Sequence, residues 1–429
     1  MSFNEWFLQL QTRTASHAGA GLVAFNKLLA RLNHPQNNYK IIHVAGTNGK
    51  GTVCTLLAHS LTCAEHKTGL FISPHLVSPT ERIQINGQPI SEHDFQCTVE
   101  TVLAAQEESL NFFEILTAAA LLYFAEQHVE YVVLETGLGG RKDPTNICAP
   151  ILSIITSIGL DHTAVLGNTL AQIAREKAGI IKSGVPVLCG DTAPEAALVL
   201  EKTAIQQRAP LRWVKAGQPF YDYAYDFIQG FTVLHTVDRQ EWNLHLLGEK
   251  QTQNACLVYQ AARQLNVPEN ALKTAFETVQ LVGRFERIKT GKTTLILDGA
   301  HNPQAVQSLL NFWQKTPYAL QQPTLLCGFM KDKNFKEMLS FLASHFVRVI
   351  VTVPPSVRVA APCVIPQGCN AGYKGRGATA DDFGPLLNAP HITFEPDYHK
   401  ALSLAQKEPV VLCTGSFYLV GAVKELVKM

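Results

Sequence analysis

The hydrophobic positions in the first half of the chain fall in short continuous runs, with helical segments between them. Four runs end at glycines or a carboxylate, and they lie within 39–46, 129–140, 151–163 and 185–191. Strands that are buried on both faces need continuous apolar runs, whereas half-exposed strands alternate. The first half is therefore predicted to be a doubly wound α/β domain with a mostly parallel sheet.

The pattern changes twice farther along the chain. Apolar and polar residues alternate over roughly 210–250, which predicts an antiparallel excursion, and a helix is predicted from Thr252 to about Leu265. Later, five short apolar runs again alternate with helical segments. We therefore predict two domains, 1–286 and 287–429, of which the second is a smaller Rossmann-like α/β domain.

Composition favours a well-packed enzyme. Hydrophobic residues make up 46% and charged residues 17% of the 429 residues, which argues against disorder and for two domains. The formal net charge is +1, so neither nucleic acid nor an anionic membrane is expected as a partner. The apolar residues of the N-terminus are interrupted by polar ones, as in an amphipathic helix and unlike a signal peptide. No apolar stretch approaches the roughly 18 residues of a membrane span, so none is expected.

Ten cysteines are scattered along the chain, often inside apolar runs such as VPVLCG and TLLCGFM. The chain contains no Cys-x-x-Cys pair, and its closest pair, Cys363 and Cys369, lacks partners at zinc-like spacing. We therefore predict buried free thiols and a cytoplasmic location.

The segment HVAGTNGKGT, at 43–52, is similar to a phosphate-binding loop but departs from the common pattern. In G-x-x-x-x-G-K-[ST] the hydroxyl residue follows the lysine directly, whereas here Gly51 separates Lys50 from Thr52. The glycines let several N–H groups converge on an anion at the start of the next helix. Lys50 adds a positive charge, and the Thr52 hydroxyl suits a magnesium ion. An ordinary glycine-rich turn is the alternative, and the loop alone does not decide between them.

Two polar residues follow the next apolar runs. Glu135 ends the run YVVL and precedes glycines, so we expect it at the carboxyl end of a central strand. His162 follows the next run and occupies the equivalent edge. Ligands of open α/β sheets bind at this edge, where a carboxylate beside a phosphate loop is an expected metal ligand. A solvated acid and a structural histidine are the alternatives, and the case for His162 depends on Glu135.

Lys177 is predicted to face inward on a helix that Thr169 caps. By i, i+3 and i+4 spacing, the stripe that contains Lys177 also contains Leu170, Ile173, Ala174 and Ile181. The amine of a desolvated lysine has a lowered pKa and can react with carbon dioxide to form a carbamate. From helix geometry alone, a buried stem with its ammonium group in water is the better interpretation.

Weaker candidates lie farther along the chain. Asn254, in GEKQTQNA, carries an amide that suits a base or a phosphate but could equally cap a helix. Arg284 lies at the predicted hinge, where an arginine could contact a nucleotide. Asp298 and His301, in LDGAHNP, follow the first strand of the second domain, again at the expected ligand-binding edge.

Taken together, these segments resemble the folylpolyglutamate synthase/dihydrofolate synthase family of the Mur ligase superfamily. From residue 43 to 421 the matching segments occur in the family's order, namely HVAGTNGKGT, SPHL, ERIQING, FFEILTAAA, LETGLGGRKDPTN, DHTAVLG, IAREKAGIIK, GEKQTQNA, GRFE, DGAHNP and TGSFYLVG. No single segment is decisive, but the ordered set is specific. The resemblance implies an ATP-dependent amide ligase with a P-loop-type ATPase domain followed by the smaller Rossmann-like domain.

The resemblance also implies roles for individual residues. The positions that match ATP-binding residues are Asn48, Gly49, Lys50, Gly51, Thr52, Asn254, Arg284 and Asp298. The positions expected to hold two magnesium ions are Thr52, Ser73, Glu135, His162 and Lys177. Carbamylation of Lys177 is implied as well, which would replace a cation with an anionic oxygen ligand and explain an inward-facing lysine. Lys50, Lys177 and His162 are the expected catalytic residues.

A further set of positions matches substrate-binding residues. The pterin site is expected to be lined by Ala18, Gly19, Ala20, Gly21, Asn111, Phe112, Phe113, Glu114, Lys142, Asp143 and Pro144. His301 and Ser416 are expected to position glutamate. The chain departs from the family at Lys142, usually aliphatic, at Pro144, usually alanine, at Lys250, often histidine, and in the segment HAGAGLVAF. These departures leave the ATP chemistry intact and concern acceptor binding.

The implied reaction begins with attack of a substrate carboxylate on the γ-phosphate of ATP, which gives an acyl phosphate and ADP. The amino group of L-glutamate then displaces phosphate. Dihydropteroate would give dihydrofolate, and a reduced folate would gain a glutamate on its γ-carboxylate. Lys50 and two magnesium ions are expected to stabilise the charge of the transferring group. A monomeric enzyme is expected.

Several alternatives stay open at this stage. A monofunctional folylpolyglutamate synthase would use only one acceptor. The segments GLGGRKDPTN and DGAHNP disfavour a cell-wall amino-acid ligase. A nucleotide-switch GTPase or ATPase is disfavoured because no Asn-Lys-x-Asp motif is present. A non-catalytic folate-binding module would not need the whole metal-binding set.

Overall fold

The computed structural model describes residues 2–14, 21–215, 219–355 and 377–428. These residues form two compact units. The first comprises Met1–Ala224, Val233–His245 and Lys250–Val279. The second comprises Tyr225–Thr232, Leu246–Glu249 and Gln280–Met429. The domain bounds 1–286 and 287–429 stay a prediction.

The first unit is built on an eight-stranded sheet. Its strands are β1 (Lys40–Ala45), β2 (Thr68–Phe71), β3 (Ile83–Ile85), β4 (Gln88–Pro89), β5 (Tyr131–Glu135), β6 (Leu152–Ile155), β7 (Val187–Gly190) and β8 (Leu211–Val214). Their order across the sheet is β4-β3-β2-β5-β1-β6-β7-β8. The strands β2, β5, β1, β6, β7 and β8 are neighbours in this order and pair in parallel. At one edge, β3 pairs antiparallel with both β2 and β4. The four predicted apolar runs are β1, β5, β6 and β7, so the mostly parallel sheet is confirmed.

Helices connect and cover these strands. Up to residue 279 they are α1 (Phe3–Thr14), α2 (Gly21–Arg31), α3 (Lys50–Cys63), α4 (Glu92–Ala105), α5 (Phe112–Glu126), α6 (Thr163–Leu166), α7 (Leu170–Ala178), α8 (Pro194–Gln206), α9 (Glu249–Gln264) and α10 (Glu269–Thr278). Short 3₁₀ turns lie at Pro35–Asn37, Pro79–Arg82 and Pro144–Ile147. Helix α1 confirms the predicted amphipathic N-terminus, because Phe7 is buried together with Phe25, Phe95 and Phe124 from three other helices.

The alternating region forms a separate three-stranded sheet. Its strands are β9 (Phe220–Asp226), β10 (Phe231–Thr236) and β11 (Glu241–Leu244), in the order β11-β10-β9. Alternate residues of β10 and β11 are buried, as the sequence pattern predicts for half-exposed strands. The predicted helix that follows this sheet is α9, which begins earlier than expected, at Glu249.

The second unit contains a six-stranded sheet. Its strands are β12 (Glu286–Thr290), β13 (Thr293–Leu297), β14 (Thr324–Cys327), β15 (Arg348–Val351), β16 (Ile392–Phe394) and β17 (Val410–Thr414). The order is β12-β13-β17-β14-β15-β16, and all neighbours pair in parallel except β12 and β13. The five predicted apolar runs are β13 to β17, which confirms a second α/β unit.

The helices of the second unit complete its layers. They are α11 (Pro303–Trp313), α12 (Phe335–Ala343), α13 (Ala380–Phe383), α14 (Tyr398–Ala405) and α15 (Phe417–Lys428), with 3₁₀ turns at Pro317–Leu320 and Gly384–Asn388. Trp313 of α11, Phe329 after β14 and Leu412 of β17 lie in one buried cluster.

Two further expectations concern cysteines and membranes. Eight cysteines are described and all are free; six of them are buried. Cys363 and Cys369 lie outside the described residues. Within the described ranges, no helix combines the length and the apolar character that crossing a membrane requires.

Candidate functional site

The loop between β1 and α3 depends on two glycines. Gly49 precedes α3 with a φ of 88°, in the left-handed region that favours glycine. A Cβ atom at Gly49 would lie 2.5 Å from Asn254 Oδ1, and one at Gly46 would collide with the Thr156 hydroxyl. The chain therefore needs glycine at both positions, and the close approach at Gly49 places Asn254 of α9 beside the loop. Its contact with ATP stays a prediction.

Hydroxyl groups after β6 fix the shape of this loop. Thr156 Oγ1 and Ser157 Oγ donate hydrogen bonds to the Asn48 carbonyl oxygen over 2.6 and 3.0 Å. Thr47 Oγ1 donates to the Gly159 carbonyl oxygen and accepts a hydrogen bond from the Gly159 N–H. These residues were missed by the sequence reasoning. The available signal was the run of small and hydroxyl residues directly after a predicted strand.

Lys50, Glu135 and Ser73 converge beside the loop. Glu135 ends β5, as predicted, and is only 3% exposed. Its Oε1 lies 3.9 Å from Lys50 Nζ, and its Oε2 accepts a hydrogen bond from the Ser73 N–H over 3.0 Å. Lys50 Nζ also donates to the Gly46 carbonyl oxygen over 3.1 Å. A buried carboxylate and a lysine therefore lie beside the loop that precedes α3, and a glycine-rich loop at a helix N-terminus is suited to an anion.

Lys177 lies inside the protein, 4% exposed, with its Nζ donating to the Gly46 carbonyl oxygen over 2.7 Å. The predicted N-cap is confirmed, because the Thr169 side chain accepts a hydrogen bond from the Gln172 N–H. Burial lowers the pKa of Lys177 to about 7, helped by the charge of Lys50 and opposed by Asp161 and Asp143. The interpretation that the ammonium group reaches water is therefore wrong, because the amine is bound within the protein.

His162 occupies the edge after β6. It precedes α6 with a φ of 48°, its side chain is 43% exposed, and its Nε2 lies 3.8 Å from Asp161 Oδ1. The sequence analysis did not single out Asp161. The charge of Asp161 also acts on Lys177, because it raises the pKa of the Lys177 amine. The predicted role of His162 at a metal ion stays a prediction.

The chemistry of the side chains suits magnesium. Thr52 lies buried in the first turn of α3, and together with Ser73 and Glu135 it offers the oxygen ligands that Mg²⁺ prefers. In the part of the chain that the structure describes, no group of three or more His, Cys, Asp and Glu side chains is arranged to hold a metal ion. Magnesium bound to nucleotide phosphates keeps several waters and needs only one or two carboxylates, so these residues fit it.

Two of the predicted acceptor-site segments contact each other and the glycines after β5. Asn111 and Glu114 form a capping box on α5, and Glu114 Oε1 also accepts the Gly21 N–H over 3.3 Å. Phe113 lies against Gly137, where a Cβ atom would collide with its ring. Glu114 therefore has a structural task, and its contact with a substrate stays a prediction. Ala18, Gly19 and Ala20 lie outside the described residues.

The third acceptor segment follows Gly137. Lys142 is exposed, and Asp143 is buried with its Oδ2 accepting the Leu138 N–H over 2.8 Å. Burial raises the pKa of Asp143, whereas hydrogen bonds from the backbone and from Thr145 oppose that rise. Pro144 begins the 3₁₀ turn that Asp143 caps.

In the second unit, four predicted residues lie around β13 and β17. Asp298 follows β13 and accepts the N–H groups of Phe285 and Ala300 over 3.0 Å each. Burial raises its pKa, and the charge of Arg284 opposes that rise. His301 Nδ1 donates to the Gly299 carbonyl oxygen over 2.8 Å, because a carbonyl can only accept. Ser416, after β17, is buried.

Phe417, which the sequence reasoning did not consider, joins these groups. The Arg284 guanidinium lies 4.7 Å from the centre of its ring, and the His301 ring centre lies 5.0 Å away. The arginine contact is a cation–π interaction. A Cβ atom at Gly299 would collide with the same ring, so this packing requires glycine in DGAHNP.

Comparison with known families identifies two matching regions. The model of the Mur ligase middle domain matches residues 44–262. The model of the Mur ligase, glutamate ligase domain matches residues 283–417. The two models together cover most of the chain, in this order.

Individual proteins are similar over most of their length. The chain is 37% identical over 348 residues to the dihydrofolate synthase/folylpolyglutamate synthase of Bacillus subtilis, covering 76% of this chain and 80% of that protein. The structure of Escherichia coli FolC in complex with DHPP and ADP superposes with a TM-score of 0.82, at 29% identity, over 100% of this chain and 98% of that one. The Yersinia pestis bifunctional enzyme complexed with AMPPNP and a Mn ion superposes with a TM-score of 0.81, at 27% identity, over 100% and 98% of the two chains.

Proposed function

Because the chain belongs to the Mur ligase family, and within it to the dihydrofolate synthase/folylpolyglutamate synthase group, we propose that it ligates L-glutamate to pterin acids with ATP. The observation that carries this function is the convergence of Lys50, Glu135 and Lys177 on the loop before α3. A buried carboxylate and a buried lysine beside an anion-binding loop are suited to phosphoryl transfer.

The nucleotide is held by the loop and its neighbours. The loop Asn48–Thr52 would hold the phosphates at the start of α3 through the N–H groups of its glycines, and Lys50 would neutralise the charge of the γ-phosphate. Asn254 lies against Gly49, which places its amide at the same loop. In the second unit we assign ATP contacts to Arg284 and Asp298, on the basis of the family resemblance.

The residues proposed to hold two magnesium ions are Thr52, Ser73, Glu135, His162 and carbamylated Lys177. Magnesium would neutralise the charge that develops on the phosphates. The support for the carbamate is the pKa of about 7 at Lys177, which leaves much of its amine neutral at neutral pH. That nitrogen adds to carbon dioxide and loses a proton, which gives an anionic oxygen ligand.

The reaction then follows in two steps. A carboxylate oxygen of the acceptor attacks the γ-phosphorus, the bond to the bridging oxygen of ADP breaks, and an acyl phosphate forms. The nitrogen of glutamate attacks the acyl carbon, phosphate leaves, and the amine gives up a proton. We assign Lys50 to stabilising the negative charge of the transferring phosphoryl group. We assign His162 to binding a magnesium ion.

Two acceptors are proposed, dihydropteroate and reduced folates, in line with the bifunctional name of the Bacillus subtilis relative. The acceptor would contact residues 18–21, Asn111–Glu114 and Lys142–Pro144. His301 and Ser416 would position glutamate. A monofunctional enzyme is the runner-up, since the departures at Lys142 and Pro144 fall in the acceptor segments.

We also propose that the enzyme acts as a cytoplasmic monomer. Six buried free cysteines among those described support a reducing compartment. The bounds 1–286 and 287–429 are proposed for the ATP- and pterin-binding domain and the glutamate ligase domain, respectively. The two family models, which match 44–262 and 283–417, support a division in this region of the chain.

ADP release from the purified chain tests this function. Reactions would contain ATP and magnesium, with glutamate and either dihydropteroate or tetrahydrofolate, supplied together or singly. We expect ADP release to depend on an acceptor and glutamate together, with both acceptors active. Activity with one acceptor alone would favour the monofunctional enzyme. ADP release that no pterin affects would contradict the folate function and favour a nucleotide switch.

A further inference from the structure

A buried row of polar side chains runs from β1 to the loop after β5. His43, in the middle of β1, is fully buried, and its Nε2 lies 2.8 Å from Thr145 Oγ1. Thr145 Oγ1 lies 2.5 Å from Asp143 Oδ1, and Cys148 Sγ lies 3.6 Å from His43 Nδ1. Of these four residues, only Asp143 belongs to the predicted site.

Asp143 accepts the N–H groups of Leu138 and Thr145, and its ionised form assigns the donors and acceptors of this row in one direction. The Thr145 hydroxyl has one hydrogen, which it donates to the Asp143 carboxylate, so its oxygen accepts from His43 Nε2–H. Burial lowers the pKa of His43 to about 3, and the charge of Lys182 contributes, so the ring is neutral. Nδ1 is then the acceptor, and the Cys148 thiol is the group facing it. The row therefore selects a single tautomer of His43.

Asp143 fixes the loop that follows Glu135. Its Oδ2 accepts the Leu138 N–H over 2.8 Å, and its Oδ1 accepts the Thr145 N–H over 3.1 Å. One carboxylate therefore ties the start of the loop to its end. The loop carries Lys142 and Pro144, where the chain departs from the family pattern. The orientation of Asp143 depends in turn on the Thr145 hydroxyl, which His43 holds.

We propose that His43 is a positioning residue for the pterin acceptor, acting through Thr145 and Asp143 on the loop 138–145. The strand that leads into the phosphate loop thus also sets the shape of the acceptor loop. This inference rests on the proposed function, because that function makes 138–145 an acceptor-binding segment. It adds His43 and Thr145 to the residues that determine acceptor affinity, although neither of them needs to contact the acceptor.

A matched pair of substitutions at Thr145 tests the proposal. Thr145→Val keeps the shape of the side chain and removes the hydroxyl, whereas Thr145→Ser keeps the hydroxyl. We expect Thr145→Val to raise the KM for dihydropteroate about tenfold, since a buried bond to a charged group is lost. The KM for ATP should stay within about twofold, and Thr145→Ser should stay near the wild type in both constants.

A second pair tests the other end of the row. The amide of Gln can place an N–H near the position of His Nε2, whereas the shorter Asn places it near Nδ1. His43→Asn should therefore raise the KM for dihydropteroate as Thr145→Val does, and His43→Gln should largely restore it. A purely structural role would instead lower the melting temperatures of Thr145→Val and His43→Asn, while the KM for dihydropteroate and the KM for ATP changed together or not at all.

The outcomes separate this inference from the proposed function. Wild-type ADP release that ignores pterins would refute the proposed function itself. With a pterin-dependent wild type, equal KM values for Thr145→Val and Thr145→Ser would overturn the positioning role alone. Failure of both Thr145→Val and His43→Asn to fold would also overturn it, since the row would then serve stability. A selective rise in the KM for dihydropteroate in both variants supports it.

Discussion

The burial of Lys177 affects both the stability of the fold and the reactivity of its amine. Desolvation of its amine lowers the pKa to about 7, which costs stability wherever the unfolded chain would be protonated. Between about pH 7 and the ordinary lysine pKa, the unfolded state binds a proton that the folded state does not. The contribution of Lys177 to the free energy of unfolding therefore rises with pH over this window. A residue that destabilises the fold in this way is a candidate for function.

Replacing Lys177 by methionine should separate activity from stability. Lys177→Met keeps a long apolar stem and removes the amine, so we expect loss of ligase activity by two orders of magnitude or more, as on removal of a catalytic charge. The melting temperature in buffer free of carbon dioxide should rise at neutral pH and approach the wild-type value near pH 10, where the penalty disappears. Activity assays and thermal unfolding at both pH values would measure this.

Arg175→Met is a suitable control, because Arg175 lies on the exposed face of the same helix. It should change neither activity nor the pH dependence of unfolding. Full activity of Lys177→Met would rule out the carbamate ligand. A further test is the wild type itself, whose activity should fall when carbon dioxide is removed and recover with bicarbonate.

The sequence correctly predicted those strands that a local pattern of consecutive residues determines. The runs that became β1, β5, β6 and β7 are continuous because strands in a parallel sheet are buried on both faces. Glu135 was placed correctly at a strand end because a carboxylate followed by glycines breaks such a run. Strands β3 and β4 were not predicted, since three and two residues are too short to show a period.

What the sequence could not show depends on residues far apart along the chain. His43 and Thr145 are separated by 102 positions, and nothing in either segment identifies the other. The hydroxyls of Thr156 and Ser157 bind Asn48 across a similar distance. Phe417 was overlooked because a phenylalanine after a strand usually packs in the core. For Lys177, the helical stripe showed the direction of the side chain but not whether its amine reached water.

The contact between Gly299, which follows β13, and Phe417, the first residue of α15, makes a prediction. In Gly299→Ala the new methyl group would displace the Phe417 ring, which contacts both Arg284 and His301. We expect the KM values for ATP and glutamate to rise several-fold, since misplacing binding groups by a fraction of an ångström weakens both. Steady-state kinetics with each substrate varied in turn would measure these constants.

Gly291→Asn is the matched control, because Gly291 has open space around it and a φ of 58° that asparagine tolerates. It should leave both KM values unchanged. The double variant Gly299→Ala/Phe417→Leu should fold better than Gly299→Ala, because the ring that collides is gone. Unchanged kinetics in Gly299→Ala would show that the Phe417 ring does not position Arg284 or His301.

In both units, a candidate carboxylate lies at the carboxyl end of a parallel strand. Glu135 ends a parallel strand of the first sheet, and Asp298 follows a parallel strand of the second. Open parallel sheets place their ligands at the carboxyl ends of strands, so a single architecture accounts for both groups. We propose that the first unit contributes the phosphate loop, the metal ligands and the acceptor segments. The second unit would contribute Arg284 and Asp298 to ATP and His301 and Ser416 to glutamate.

If the chain forms an amide bond through an acyl phosphate, an oxygen atom of the acceptor carboxylate must end in inorganic phosphate, and an isotope experiment detects this transfer. Dihydropteroate labelled with oxygen-18 in its carboxylate would be incubated with the chain, ATP, magnesium and glutamate, and the inorganic phosphate analysed by mass spectrometry. Activation by phosphoryl transfer predicts that one labelled oxygen moves into phosphate for each dihydrofolate formed. Unlabelled phosphate alongside product would contradict the acyl phosphate. The absence of product from dihydropteroate and from tetrahydrofolate alike would contradict the ligase itself.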